Sequence, residues 1–261
     1  MTAATDWATQ LRDWGIPQAI LDQAPESPWI HPTETFRVDA ASNVHVDTPS
    51  RLRALEALTA QAGTSVLDVG CGGGRAALGL VPPAMRLVGV DHQASMLELF
   101  SEAASRVGVQ STTVLGDWPD VAASTPTCDV VVCHHVFYNV QDLVPFAAAL
   151  TNHARHRVVV ELPMQHPLSN LSAAWRHFWS LERPTSPTAH DAAQVLGEMG
   201  LQPQVEEWHA AAPRTGPVTD LDVQHTRIRL CLGADRDPDV RRFLESTPTQ
   251  PRHTATIWWD C

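Results

Sequence analysis

Positions 65–74 read S-V-L-D-V-G-C-G-G-G, an aliphatic run that closes on a cluster of glycines. Val66, Leu67 and Val69 suit a strand, and Arg75-Ala76-Ala77-Leu78 reads as the opening of a helix. A strand, a glycine turn and a helix in succession bring backbone N–H groups against a nucleotide-like ligand. Glycine is required because the chain must turn through positive φ while a ligand approaches the bare backbone. Asp68, just ahead of the glycines, suits a cationic ligand better than a pyrophosphate.

The pattern of an apolar run followed by functional-looking residues then recurs. R-L-V-G-V-D (86–91) predicts a second strand ending in Asp91, about twenty residues past the turn, where a carboxylate can accept both ribose hydroxyls. His92 follows it, and positions 93–106 predict a helix whose Met96, Leu97, Leu99 and Phe100 face the sheet or an adenine slot. S-T-T-V-L (111–115) leads into Gly116-Asp117-Trp118, an acid for an amino group and an aromatic ring to cover a base. D-V-V-V-C (129–133) leads into His134-His135-Val136-Phe137-Tyr138-Asn139. In open α/β sheets ligands bind at the carboxyl ends of the strands, where all these residues fall.

In this order the motifs resemble a class I S-adenosylmethionine-dependent methyltransferase. V-L-D-V-G-C-G-G-G is similar to the family's first motif, G-V-D to its second and G-D-W to its adenine motif. C-D-V-V-V-C-H-H-V-F-Y-N-V and R-V-V-V-E-L-P are similar to its fourth and fifth strands. The resemblance spans roughly residues 50–200. It implies an α/β fold: a doubly wound, mostly parallel seven-stranded sheet with helices on both faces. It further implies S-adenosyl-L-methionine as cofactor and S-adenosyl-L-homocysteine as product. The residues carried over as cofactor-binding are Asp68, Gly70, Cys71, Gly72, Gly74, Asp91, His92, Met96, Gly116, Asp117 and Trp118. Cys133 and His134 would meet the methionine moiety at the end of the fourth strand.

Two other readings remain. A dinucleotide oxidoreductase using NAD(P) calls for G-x-G-x-x-G, but Arg75 follows Gly74 and displaces the third glycine. A non-catalytic, cofactor-binding regulatory or partner subunit would keep the fold and lose turnover.

Composition narrows the partners. Net charge is −11, and no basic run exceeds a pair, which disfavours a nucleic-acid surface. All 18 basic residues are arginine, so a Schiff-base or phosphate-loop lysine is excluded. Five cysteines without C-x-x-C spacing read as free thiols of a cytoplasmic protein, and no histidine–carboxylate grouping has metal-ligand spacing. The start of the chain has no signal-peptide pattern, and no apolar run reaches about 18 residues, so no membrane partner is expected.

Residues 1–50, with Trp7, Trp14 and Trp29, are expected to form a helical cap over the cofactor, with Arg37 meeting the cofactor carboxylate. Residues 51–261 would be the catalytic domain, entered by an amphipathic segment at 50–62. A connection at 163–187 is too aromatic to be disordered, and Trp175 and Trp179 predict a helix that roofs a hydrophobic substrate pocket or packs on the cap. Thr188 and Asp191 form a capping-box pattern that opens a helix ended by Gly200. Strands are expected at 204–208 and 254–259, with a second helical insertion at about 217–247 that serves substrate binding or a homodimer interface.

Methyl transfer is an in-line displacement, so the protein must align a nucleophile, exclude water and sometimes remove a proton. His134, His135, Glu161 and His166 are candidate bases, and Tyr138, the one tyrosine, is a candidate orienting hydroxyl. The expected activity is transfer of a methyl group to oxygen or nitrogen of a small, partly hydrophobic metabolite.

Overall fold

Runs rich in aliphatic and β-branched residues become strands, and the central ones bury both faces. The strands are β1 (Ser65–Val69), β2 (Arg86–Asp91), β3 (Gln110–Leu115), β4 (Cys128–His134), β5 (Ala154–Pro163), β6 (Gln204–Ala210) and β7 (Arg252–Asp260). The computed structural model describes residues 2–29, 36–38, 44–58, 64–210, 216–247 and 250–261. The strands form one sheet in the order β3-β2-β1-β4-β5-β7-β6. β1 to β5 pair in parallel, and β7 runs antiparallel between β5 and β6. The strand order reverses between β1 and β4, and that reversal opens the crevice in which such sheets bind ligands.

Period-2 alternation sends successive side chains to two separate cores. Val66, Val130, Val132 and Val159 share one core with Ala54, Leu78, Leu97 and Phe100. Those partners belong to α3 (Pro49–Ala57), α4 (Arg75–Leu78) and α5 (Ala94–Val107). Leu67, Val131, Cys133 and Val160 share the other core with Trp7, Phe146 and Leu196. These come from α1 (Ala3–Asp13), α6 (Leu143–His153) and α8 (Ala189–Glu198). The expected doubly wound α/β sheet with helices on both faces is the observed architecture.

Helix boundaries follow local chemistry. Thr48 caps α3 through the Arg51 N–H, and Pro49 occupies the first turn, where its missing N–H costs nothing. Residues 59–62 of the expected 50–62 helix lie outside the described residues. α4 ends after one turn because Pro82 and Pro83 lie just ahead, and a Cβ on Gly79 would meet the Val44 carbonyl at 2.6 Å. Thr188 and Asp191 make the anticipated capping box on α8, and Gly200 follows with φ of 85°.

The two insertions join. α7 (Ser172–Trp179) lies between β5 and α8, while α9 (Asp220–Arg229) and α10 (Asp237–Ser246) lie between β6 and β7. Together with α2 (Gln18–Leu21) and Ile16 they enclose a third core of Trp175, Val223, Leu230 and Val240. Its polar anchor is Arg227, which pairs with Glu26 at 3.0 Å and Asp237 at 2.9 Å. Arg183, also buried, lies over the rings of Trp14 and Trp175 and donates to the Trp14 and Gly15 carbonyls.

The N-terminal fifty residues therefore divide. α1 packs on α6 and α8 and belongs to the sheet's core, whereas residues 36–38 and 44–48 run near the glycine turn, α4 and the start of α3. Trp7 is fully buried, donates to the Val140 carbonyl at 2.8 Å and stacks on Tyr138. Trp7→Ala should cost about 3–5 kcal/mol, the usual range for deleting a buried tryptophan. Urea unfolding of the variant checks this, and a loss below about 1 kcal/mol would mean that α1 is a detachable cap.

Candidate active site at the carboxyl ends of the strands

The glycine turn is built by hydrogen bonds between adjacent strands. Gly70 and Cys71 both donate to the Val90 carbonyl, at 2.8 and 3.0 Å. Gly116 donates to the Asp91 carbonyl at 3.0 Å. These bonds hold the ends of β1, β2 and β3 side by side. Gly70, Gly72 and Gly74 all have positive φ, at 72°, 49° and 87°. A Cβ on Gly70 would lie 2.4 Å from Val136, and one on Gly73 only 1.9 Å from the Phe36 carbonyl oxygen. Gly73 escaped the sequence reading because its constraint comes from a distant segment crossing the turn.

Two carboxylates frame this turn. Asp91 accepts from the Gly72 N–H at 3.0 Å and the Gln93 N–H at 2.9 Å, at the position expected for a ribose diol. Asp68 is buried and accepts from the Ala77 N–H at 3.1 Å. Burial pushes its carboxyl up to about 8, opposed by that hydrogen bond and reinforced by the charge of Asp91. Among the described residues no cationic side chain pairs with Asp68, which fits a ligand that brings its own positive charge.

Other expected cofactor contacts are dispersed. Asp117 and His92 are exposed beside the turns after β3 and β2, while Met96 is buried on the first turn of α5. The Cys71 thiol points into the core beside Gly89, so only its backbone belongs to the turn. Cys133 likewise is enclosed in the core beneath α6. Trp118 donates to the Phe146 carbonyl at 3.3 Å and meets His153 edge-on. Its indole is thus seated against α6. Arg37 pairs with Glu102 at 3.3 Å.

The catalytic candidates separate into two places. His135 and Glu161 come together, with His135 Nε2 at 3.2 Å from Glu161 Oε1. The structure does not bring Tyr138 and His166 to them. The Tyr138 hydroxyl is spent on the Pro163 and Met164 carbonyls, at 3.0 and 3.1 Å, and burial raises its pKa. His166 stacks on Trp14 at 4.2 Å, accepts from the Leu168 N–H, and is pushed down to about 4 by burial, with Arg183 contributing. Both side chains brace the N-terminal segment against the sheet. Trp175 and Trp179 are likewise absorbed by the third core, where Trp179 donates to the Leu230 carbonyl at 2.7 Å.

Around Glu161 a polar row crosses four strands. His134 is in register with Glu161, Glu161 with Thr256, and Thr256 with Glu206, so all four share the face covered by α3. Ser50 of α3 bonds Thr256 at 2.6 Å, and the Trp208 indole donates to the same hydroxyl at 3.1 Å. Burial would raise the Glu161 pKa, but His134, His135 and the Ser50 hydroxyl outweigh it and hold the carboxyl below its ordinary value. Next to this row lies a cavity of about 160 Å³. Val46, Ala54, Leu80 and Val132 give it apolar walls, and Ser50, His134 and Glu161 a polar floor. A wider groove between α7 and α10 is lined by His177, Arg236 and Arg242, but both arginines pair with Asp239 and no strand-end residue lines it.

Residues 66–157 match a family model described as methyltransferase domain. Residues 66–157 are thus a methyltransferase domain of the class I S-adenosylmethionine-dependent kind. No curated protein sequence matches the chain. Among solved structures, the YcgJ protein of Bacillus subtilis has a TM-score of 0.53 and 16% identity, covering 81% of this chain and 97% of its own. A protein of echinomycin biosynthesis, from work on conversion of a disulfide bond into a thioacetal group, has a TM-score of 0.52 and 15% identity, covering 84% and 83%. MccD protein has a TM-score of 0.53 and 12% identity, covering 81% and 95%. Likeness at this identity establishes the fold and leaves the substrate open.

When bound, S-adenosylmethionine supplies the electrophilic methyl group and its leaving group. The residues that would hold it are the glycine turn, which leaves room for close approach, Asp91, at the position expected for the ribose hydroxyls, and Asp68, a buried acid suited to a cationic ligand. Asp91→Ala should weaken cofactor binding more than about tenfold, since charge-assisted hydrogen bonds are worth roughly 1.5–3 kcal/mol. Calorimetry with S-adenosylhomocysteine checks this, and unchanged affinity would place the ribose elsewhere. Asp68 also makes the free protein pH-sensitive. Its folded pKa lies above the unfolded one, so its contribution to stability is full below about pH 4 and lost as pH rises through about 8. Asp68→Asn should flatten the fall in melting temperature between about pH 5 and pH 9; parallel profiles for both proteins would contradict this.

Proposed function

We propose that this methyltransferase transfers a methyl group to an oxygen or nitrogen atom of a small, partly hydrophobic metabolite in the cytoplasm. The observation that supports this most is the cavity of about 160 Å³, which joins apolar walls to a polar floor at the ends of β4 and β5. A volume of that order matches one small ring or a short branched group, since an apolar cavity near 150 Å³ holds benzene. The apolar walls come from α3, α4 and the segment ahead of α3, so the partly hydrophobic character assigned to the acceptor no longer depends on the tryptophans of α7.

Charge supports a small acceptor over a nucleic acid. The net charge is −11, and most arginines near the site are already committed: Arg51 to Asp47 and the Gly79 carbonyl, Arg53 to Glu56 and Glu206. Polyanion binding needs clustered cations that release counterions, and this edge of the sheet does not supply them. Among the described residues, no helix is long and apolar enough to cross a membrane. All five cysteines are free, in keeping with a reducing compartment. A homodimer through the α9–α10 insertion is part of the same reading.

Calorimetry should show binding of S-adenosylhomocysteine and none of NAD(P). Incubation with S-adenosylmethionine and a panel of phenols, catechols, azoles and amines should then release S-adenosylhomocysteine. Binding of NAD(P) in place of the sulfonium product would overturn the reading.

A further inference from the structure

We propose that the methyl acceptor carries a carboxylate and that Arg75 binds it at the mouth of the cavity beside β4 and β5, with a single ring of the acceptor seated against the apolar walls within. This rests on the methyltransferase reading above and names the substrate class for that site. In the sequence, Arg75 served only to displace a third glycine.

The ionisable groups around the cavity are unequally committed. Arg51, Arg75, His134 and Glu161 line it. Glu161 is held by His135 at 3.2 Å and by the Ser50 hydroxyl. His134 Nδ1 lies 4.0 Å from Glu161 Oε2, and burial, aided by His135, holds that imidazole below its ordinary pKa against the pull of Glu161. Arg51 donates to the Gly79 carbonyl at 2.7 Å and to Asp47 at 2.6 Å. It thereby ties the segment ahead of α3 to the end of α4 and is a framework group. Of the four, Arg75 alone makes no hydrogen bond or ion pair among the described residues.

These placements give the cavity a polarity. Glu161 lies at the end of β5, with only 13% of its side chain exposed, whereas Arg75 opens α4 and is exposed. An anionic ligand group is therefore repelled from the floor and attracted to the mouth. Between the two charges Ala54, Leu80 and Val132 present an apolar wall, and the volume of about 160 Å³ is that of a single ring. A ring bearing a carboxylate matches this order of groups, with the ring inward and the anion outward.

A guanidinium suits that anion because its planar fork can make two parallel hydrogen bonds to one carboxylate. The charge count points the same way. One uncommitted cation balances one monovalent carboxylate, while a phosphate monoester carries about −1.5 to −2 and would leave excess negative charge facing Glu161.

Benzoate is the probe, and benzyl alcohol is its uncharged counterpart. In magnetic-resonance titrations of the S-adenosylhomocysteine-loaded protein, benzoate should bind more tightly than benzyl alcohol. Its ring should show nuclear Overhauser contacts to the methyl groups of Ala54 and Leu80. R75Q should weaken benzoate about fivefold or more, since the mouth lies between the exposed and enclosed limits for such bonds, and should leave benzyl alcohol unchanged. R75K should recover part of the loss, because lysine keeps the charge without the fork. Equal affinity for the two probes or ring contacts only elsewhere would overturn the proposal. So would a change in benzoate affinity of less than about twofold in R75Q, the mark of an ordinary surface arginine. Phenyl phosphate binding more tightly than benzoate would replace the carboxylate by a phosphoester. S-adenosylhomocysteine should bind R75Q as it binds the wild-type protein, and a loss of about tenfold or more would assign Arg75 to the cofactor carboxylate and sink the proposal. Failure of the wild-type protein itself to bind S-adenosylhomocysteine would instead defeat the methyltransferase reading, a result that benzoate titration of the free protein does not depend on.

Discussion

A Cβ at Gly70 would stand 2.4 Å from Val136, and one at Gly73 would stand 1.9 Å from the Phe36 carbonyl oxygen. The turn after β1 is thus squeezed from two directions, by the chain leaving β4 and by the N-terminal segment. Atoms cannot approach that closely, so side chains are excluded at both positions. Because the turn is bare, β1 and β4 can end next to each other, and the remaining strand-end groups collect around that point. Asp91 reaches the Gly72 N–H only because the turn brings that group to the end of β2. The strand-order reversal supplies a crevice, and the glycines keep its floor open.

Polar chemistry on the two sides of the sheet has opposite uses. On the α3 side, the row from His134 through Glu161 and Thr256 to Glu206 leads from a cavity to an interstrand hydrogen-bond chain. On the α1 side, Tyr138 and His166 are enclosed by Trp7 and Trp14 and bonded to backbone groups. Burial pushes His166 down to about 4 and raises Tyr138, so both stay neutral near pH 7. The same residue types therefore brace the N-terminal segment on one side and line a cavity on the other. The third core makes a similar point, because the tryptophans of α7 bind α9 and α10 to α2 instead of lining a substrate pocket.

The first four strands were legible because each is a short run closed by glycine, acid or histidine, and their parallel pairing places those endings on one edge. The capping box at Thr188 and Asp191 was legible because it is a local exchange of hydrogen bonds. Gly73, Ser50 and Thr256 were not, since their partners lie 37, 206 and 206 residues away in the chain, respectively Phe36, Thr256 and Ser50. The roles of Trp118, Tyr138 and His166 were equally hidden. A ring ahead of a helix can cover a base or seat itself on a neighbouring helix, and only the packed chain chooses.

Sequence alone determined the motif order, the doubly wound class, the sulfonium cofactor and the edge of the sheet where the strand-end groups collect. These follow from local residue patterns and from a resemblance carried by motifs in order. Tertiary structure decided which side chain at that edge meets which. A period of two says that Cys133 and His134 point to opposite faces, but not which face carries the cavity and which the core. Packing of α3 over the end of β5 settled that, placing His134 beside Glu161 and leaving its Nε2 without a partner among the described residues.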